Sequence, residues 1–161
     1  MLAESQDINL EPPKHLAKEV DLERYSGKWY VVSHLPFESE PKHNESEFYS
    51  LRPDGTIDID FEFSKDEAGK EKRVVKQTMW PLNKEHNMMR HRIGETTIDY
   101  GIVDIDDNYQ WAVIGTLDKK HCWIMSRKPK IDPQVKERML DKLNILGFET
   151  SKIEDVCQKA E

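Results

Sequence analysis

Ile57, Ile59, Phe61 and Phe63 alternate with Asp58, Asp60, Glu62 and Ser64. A period of two puts one dry face and one wet face on the segment, the pattern of a half-buried strand. Pro53-Asp54-Gly55 precedes it as a turn, because proline presets φ and glycine accepts φ > 0. The same reading predicts strands from Gly27 through Ser33, and over 45–52, 72–80, 88–92, 97–105, 109–116 and 121–127. The turns between them carry Pro81-Leu82-Asn83, Gly94-Glu95, Asp106-Asp107-Asn108 and Leu117-Asp118-Lys119. Short strands joined by hairpin-length turns predict an all-β fold, an eight-stranded up-and-down antiparallel barrel. Strands do not alternate with helices, which argues against a parallel α/β sheet.

One longer helix is written after the last strand. Asp132 is placed to cap it, Pro133 suits its first position and Gly147 stops it. Val135, Met139, Leu143 and Leu146 form a single apolar stripe, so this α-helix is expected to pack on the outside of the barrel. A short helical turn over 20–25 precedes Gly27, and 153–156 offers a final strand beside the first. His34 to Asn44, with Pro36 and Pro41, reads as a long loop. Residues 1–19 contain Pro12-Pro13 and no usable periodicity, so they read as a flexible leader to a domain over 20–161.

Composition narrows the partners. A net charge of −7 speaks against nucleic acid or an anionic membrane surface as the main partner. No apolar run approaches the ~20 residues that cross a bilayer as a helix. Met1-Leu2-Ala3-Glu4-Ser5 carries no apolar core of an intact signal peptide. Two localisations follow: cytoplasmic if Met1 is native, or periplasmic, outer-membrane-associated or secreted if a leader was removed. Cys122 and Cys157 are compatible with one disulfide or with two free thiols.

Two segments nearly a hundred residues apart suggest how the sheet closes. Gly27 brings the chain into its first strand, and Trp29 is too large to leave in water. Arg127, ending the last strand, is placed to lay its guanidinium over that indole. First and last strands sharing one contact make a sheet closed on itself, so Gly27, Trp29 and Arg127 are assigned a structural role.

The ordered set of motifs resembles the lipocalin family. Asp21-Leu22-Glu23-Arg24-Tyr25-Ser26-Gly27-Lys28-Trp29-Tyr30 is similar to the family's opening motif. Tyr49-Ser50-Leu51-Arg52-Pro53-Asp54-Gly55-Thr56-Ile57 resembles a stretch of bacterial outer-membrane lipocalins and apolipoprotein D. Trp123-Ile124-Met125-Ser126-Arg127-Lys128-Pro129 resembles the closing motif, and Gly147 to Lys152 matches the bacterial branch. The middle strands from Glu71 to Arg92 carry no familiar signature. The resemblance implies a cup closed at the Trp29–Arg127 end that holds a small lipophilic molecule, such as a fatty acid or lysophospholipid.

Alternation from these anchors assigns the wall. Val31 and Ser33 share the parity of Trp29, and Trp123 and Met125 that of Arg127. The dry face of the third strand supplies Phe61 and Phe63. Tyr49 and Trp111 match aromatic positions that line the cup in similar lipocalins. The expected ligand-binding set is Tyr49, Phe61, Phe63, Trp111, Val113, Trp123 and Met125, with Leu35 and Phe37 near the mouth. The alternative is a filled interior, leaving a protein-interaction module built on the 34–44 loop.

Catalysis is not expected. Parity turns Cys122 away from the cup, and the histidines lack metal-ligand spacing. His91 reads as a solvated strand histidine in preference to a haem ligand. No catalytic residue, metal or cofactor is assigned, and an isomerase-type cavity enzyme stays as the alternative. The chain is expected as a monomer or weak homodimer, with peripheral membrane association left open.

Overall fold

The computed structural model describes residues 16–36 and 43–158. A four-residue helix α1 (Leu22–Tyr25) leads into eight strands: β1 (Gly27–Leu35), β2 (His43–Leu51), β3 (Ile57–Ser64), β4 (Lys72–Pro81), β5 (Met88–Ile93), β6 (Thr96–Ile105), β7 (Trp111–Thr116) and β8 (Cys122–Ser126). Then come α2 (Pro133–Leu146), a 3-10 turn over 150–152 and a two-residue strand β9 (Glu154–Asp155). From β1 to β8 each strand pairs antiparallel with the next, β9 pairs with β1, and β1 also pairs with β8. That pairing closes the barrel and leaves none of the eight strands as a bare edge.

The interior and exterior have separate cores. Inside, Trp29, Val31, Tyr49, Ile57, Ile59, Met79, Met89, Tyr100, Ile102, Ala112 and Met125 pack together around the lower half of the barrel. Outside, Met139 and Leu143 of α2 pack on Val32, Val103, Val113, Cys122 and Ile124, as the single stripe requires. Phe148, just past the helix, lies so close to Gly115 that an added Cβ would sit 2.5 Å from its ring. The wall is therefore thinned at Gly115 to seat that ring. Asp132 Oδ1 accepts the Gln134 N–H at 2.8 Å, and the Gly147 and Phe148 amides cap the last carbonyls of α2.

The base is built as the two motifs suggest. The Arg127 guanidinium carbon lies 3.7 Å from the Trp29 ring centroid. Its nitrogens donate to the carbonyls of Tyr109 at 2.9 Å, Lys28 at 2.9 Å and Arg24 at 2.6 Å. Trp29 Nε1 donates to the Tyr25 carbonyl at 2.9 Å, so the buried indole leaves no polar atom unsatisfied. Gly27 has φ 98°, and a Cβ there would stand 3.3 Å from Arg127 Nη1.

Three expectations change. The leader expected over 1–19 is packed at its end: the Ala17 amide donates to Ile102 at 2.7 Å, Asn87 Nδ2 donates back to the Ala17 carbonyl at 2.8 Å, and Ala17 is buried. Residues 16–20 thus close the bottom of the barrel as a strap, with Val20 in the inner core. Strand β1 extends to Leu35 and β2 begins at His43, shortening the loop expected over 34–44. Ser33, expected inward, faces out. A bulge between Val31 and Ser33 shifts the register, so His34 opposes Trp123 while Ser33 opposes Ile124. One extra residue reverses the parity of everything after it.

Candidate ligand-binding site

Above the packed base lies a cavity of about 290 Å³, at the low end for small-molecule sites. Phe61 and Phe63 of β3, Val75 of β4, Ile93 of β5, Ile98 of β6 and Ile114 of β7 form its apolar wall. Trp123 of β8 and Pro36 complete it, with Tyr100 among the lower residues. Polar groups interrupt this surface at His34, Glu45, Glu47, Gln77 and His91.

Their arrangement follows from register. Glu45, Glu47 and Tyr49 share one face of β2, and Glu47 sits opposite Phe61 on β3. The Tyr49 hydroxyl donates to Glu47 Oε1 at 2.7 Å. Burial away from water, with the Glu45 charge acting in the same direction, pushes the Glu47 carboxyl up to about 7. Glu45 is only 2% exposed; His34 Nδ1 lies 3.3 Å from its Oε1, while Oε2 has no hydrogen-bond partner among the described residues. On the facing side, His91 Nε2 meets Gln77 Oε1 at 2.6 Å, and burial lowers His91 to about 4. His91 is therefore neutral near pH 7. Among the described residues lining the cavity there is no lysine or arginine.

The expected wall divides. Phe61, Phe63 and Trp123 line the cavity. Tyr49 and Met125 point inward but belong to the packed floor, where Tyr49 is 5.1 Å from the Tyr25 ring. Trp111, Val113 and Leu35 face the other way and pack in the outer core beneath α2. The reason is pairing: Met125 opposes Ala112, and Trp123 opposes Ile114, so the inward residues of β7 are Ala112 and Ile114. Phe37 lies outside the described residues. Cys122 is buried in the outer core with its thiol pushed up to about 12 by desolvation, which gives the cavity no thiolate. Cys122 and Cys157 are both free.

Sequence reasoning passed over Glu45, Glu47, His34 and Gln77. The first two carried a usable signal, since they precede an inward Tyr49 by four and two residues. His91, expected to be solvated, is turned inside. Ligand atoms of His43, Glu67 and Cys157 lie within 4.8 Å of one another, from three segments that no sequence spacing connects.

Residues 20–158 match the model of the lipocalin-like domain, and the chain belongs to that family. It is 23% identical over 155 residues to temperature-induced lipocalin-1 of Arabidopsis thaliana, covering 89% of this chain and 82% of the relative. It is 27% identical over 146 residues to the outer membrane lipoprotein Blc of Citrobacter freundii, covering 88% and 82%. Among solved structures, lobster apocrustacyanin A1 superposes with a TM-score of 0.71 at 11% identity, over 93% of this chain and 94% of the other. Insecticyanin from the tobacco hornworm Manduca sexta gives 0.67 at 16% identity, over 92% and 89%. Barrels of this family typically bind small hydrophobic ligands.

Proposed function

We propose that this lipocalin binds one single-chain lipid, of the size of a fatty acid or the tail of a lysophospholipid, and carries it without altering it. The observation that supports the reading is the cavity itself: a space of about 290 Å³ with Phe61, Phe63, Val75, Ile93, Ile98 and Ile114 around it. That volume suits one flexible chain better than a fused-ring pigment, and each methylene taken out of water contributes about 0.8 kcal/mol. Enclosure by a rigid barrel limits the ordering cost to the ligand. The relatives named as outer membrane lipoproteins support a site of action at the periplasmic side of that membrane, which cell fractionation tests.

Displacement of the neutral fluorophore N-phenyl-1-naphthylamine by dodecanol measures the site. Phe61→Arg puts a charge into the apolar wall, and Trp123→Ala removes a large part of it. Each is expected to weaken dodecanol binding by about tenfold or more, the scale of two lost methylene equivalents. Both side chains border a cavity, so the circular dichroism of the barrel should persist. Unchanged affinity in both variants contradicts the assignment.

A further inference from the structure

We propose that the polar end of the ligand is a protonated primary or secondary amine, held between the carboxylates of Glu45 and Glu47. This rests on the lipid-binding reading above and specifies the head group within it.

Three observations converge on that chemistry. First, Glu45 is buried, only 2% exposed, yet its Oε2 has no hydrogen-bond donor among the described residues. A buried carboxylate oxygen without a donor is costly, and an N–H group entering the cavity relieves that cost. Second, Glu47 stands two residues along on the same face of β2, with one oxygen engaged by Tyr49. Two carboxylates side by side favour a cation between them, since each disfavours the other's charge when alone. Third, the cavity offers no lysine or arginine among its described lining residues to receive an anionic head, and His91 donates or accepts locally with Gln77. A fatty-acid carboxylate placed here would meet two like groups, and the neighbouring imidazole of His34 already faces Glu45 Oε1 at 3.3 Å.

The geometry also chooses between kinds of cation. Glu45 Oε2 lacks a donor, which an ammonium supplies with up to three N–H groups and a quaternary choline does not. Phe61 pairs across from Glu47, so a chain attached to that nitrogen passes directly onto the apolar wall of Phe61, Phe63 and Ile114. Nitrogen and tail are thus satisfied by neighbouring parts of the same space.

Dodecylamine, dodecanol and dodecanoate share one tail and differ only in head group, so their displacement of N-phenyl-1-naphthylamine separates head from chain. At about pH 8 an alkylamine stays protonated, being close to lysine in basicity, and dodecanoate is ionised. Dodecylamine is expected to bind about tenfold or more tighter than dodecanoate, with dodecanol between, the scale of one charge-assisted hydrogen bond. In Glu45→Gln, Glu47→Gln and the double variant the amine preference should shrink stepwise toward parity. Glu62→Gln removes the same charge from the outer face of β3 and should leave the preference intact. Equal affinities for all three heads, or a preference for dodecanoate, overturns the amine assignment while the lipid-binding reading stands. Displacement by none of the three overturns both. The parent protein alone decides the ranking, so the test survives even where a Gln variant fails to fold.

Discussion

Arg127→Ala is expected to melt on the order of 10 °C below the parent, reflecting a loss of about 3–4 kcal/mol in a domain of this length. The side chain does four things at once: it covers Trp29 at 3.7 Å and donates to the carbonyls of Tyr109, Lys28 and Arg24. Those carbonyls belong to the turn before β7, to β1 and to α1, so one guanidinium ties three separate segments of the base. Truncation uncovers the indole and leaves carbonyls without donors. Arg127→Lys should recover less than half of the loss, because an ammonium is a point donor and does not span three carbonyls in a plane. Thermal denaturation followed by tryptophan fluorescence measures both. A parent-like melt for Arg127→Ala would mean that the base is held by other contacts.

The second large effect concerns pH, and its sign differs between two residues of one cavity. Glu47 rises from an ordinary 4.5 to about 7 on folding, so between those values the folded chain holds a proton that the unfolded chain has lost. Stability from this group is full below about pH 4.5 and falls as pH rises to about 7, by about 3 kcal/mol. His91 falls from 6.5 to about 4, so in that window the unfolded chain binds the extra proton. Stability from His91 therefore rises with pH between about 4 and 6.5, also by about 3 kcal/mol. The two slopes oppose each other across most of the range. Urea unfolding from pH 4 to 7.5 is expected to reveal them singly: Glu47→Gln should gain stability as pH rises, and His91→Gln should lose it. Flat profiles in both variants would contradict the burial of these groups.

The barrel was legible because its signals are local. Alternation in β3, the turn at Pro53-Asp54-Gly55 and the caps of α2 each depend on neighbours in sequence, and all three stand in the structure. The contact of Trp29 with Arg127 was legible for another reason: an indole and a guanidinium at the two ends of a closed sheet have few other places to go. The cavity was harder, because its wall depends on counting parity across defects and across strand pairs. The bulge at Val32 exchanged Ser33 for His34, and the Trp111 assignment failed where the partner strand decides, Met125 facing Ala112. Large aromatics drew attention to β7, whereas the small Ala112 and the branched Ile114 occupy its inner face. The acidic pair was hidden by chemistry: charged residues in a polar chain read as solvent-facing, yet Tyr49 already fixed their side.

Intermolecular NOEs from the chain protons of bound dodecanol test the central claim most directly, since they report where in the protein the lipid sits. The account predicts cross-peaks to the Phe61 and Phe63 rings and to the Ile114 methyls, inside the barrel. Cross-peaks confined to Ile145 and Phe48, which are apolar residues on the outer surface, would contradict it.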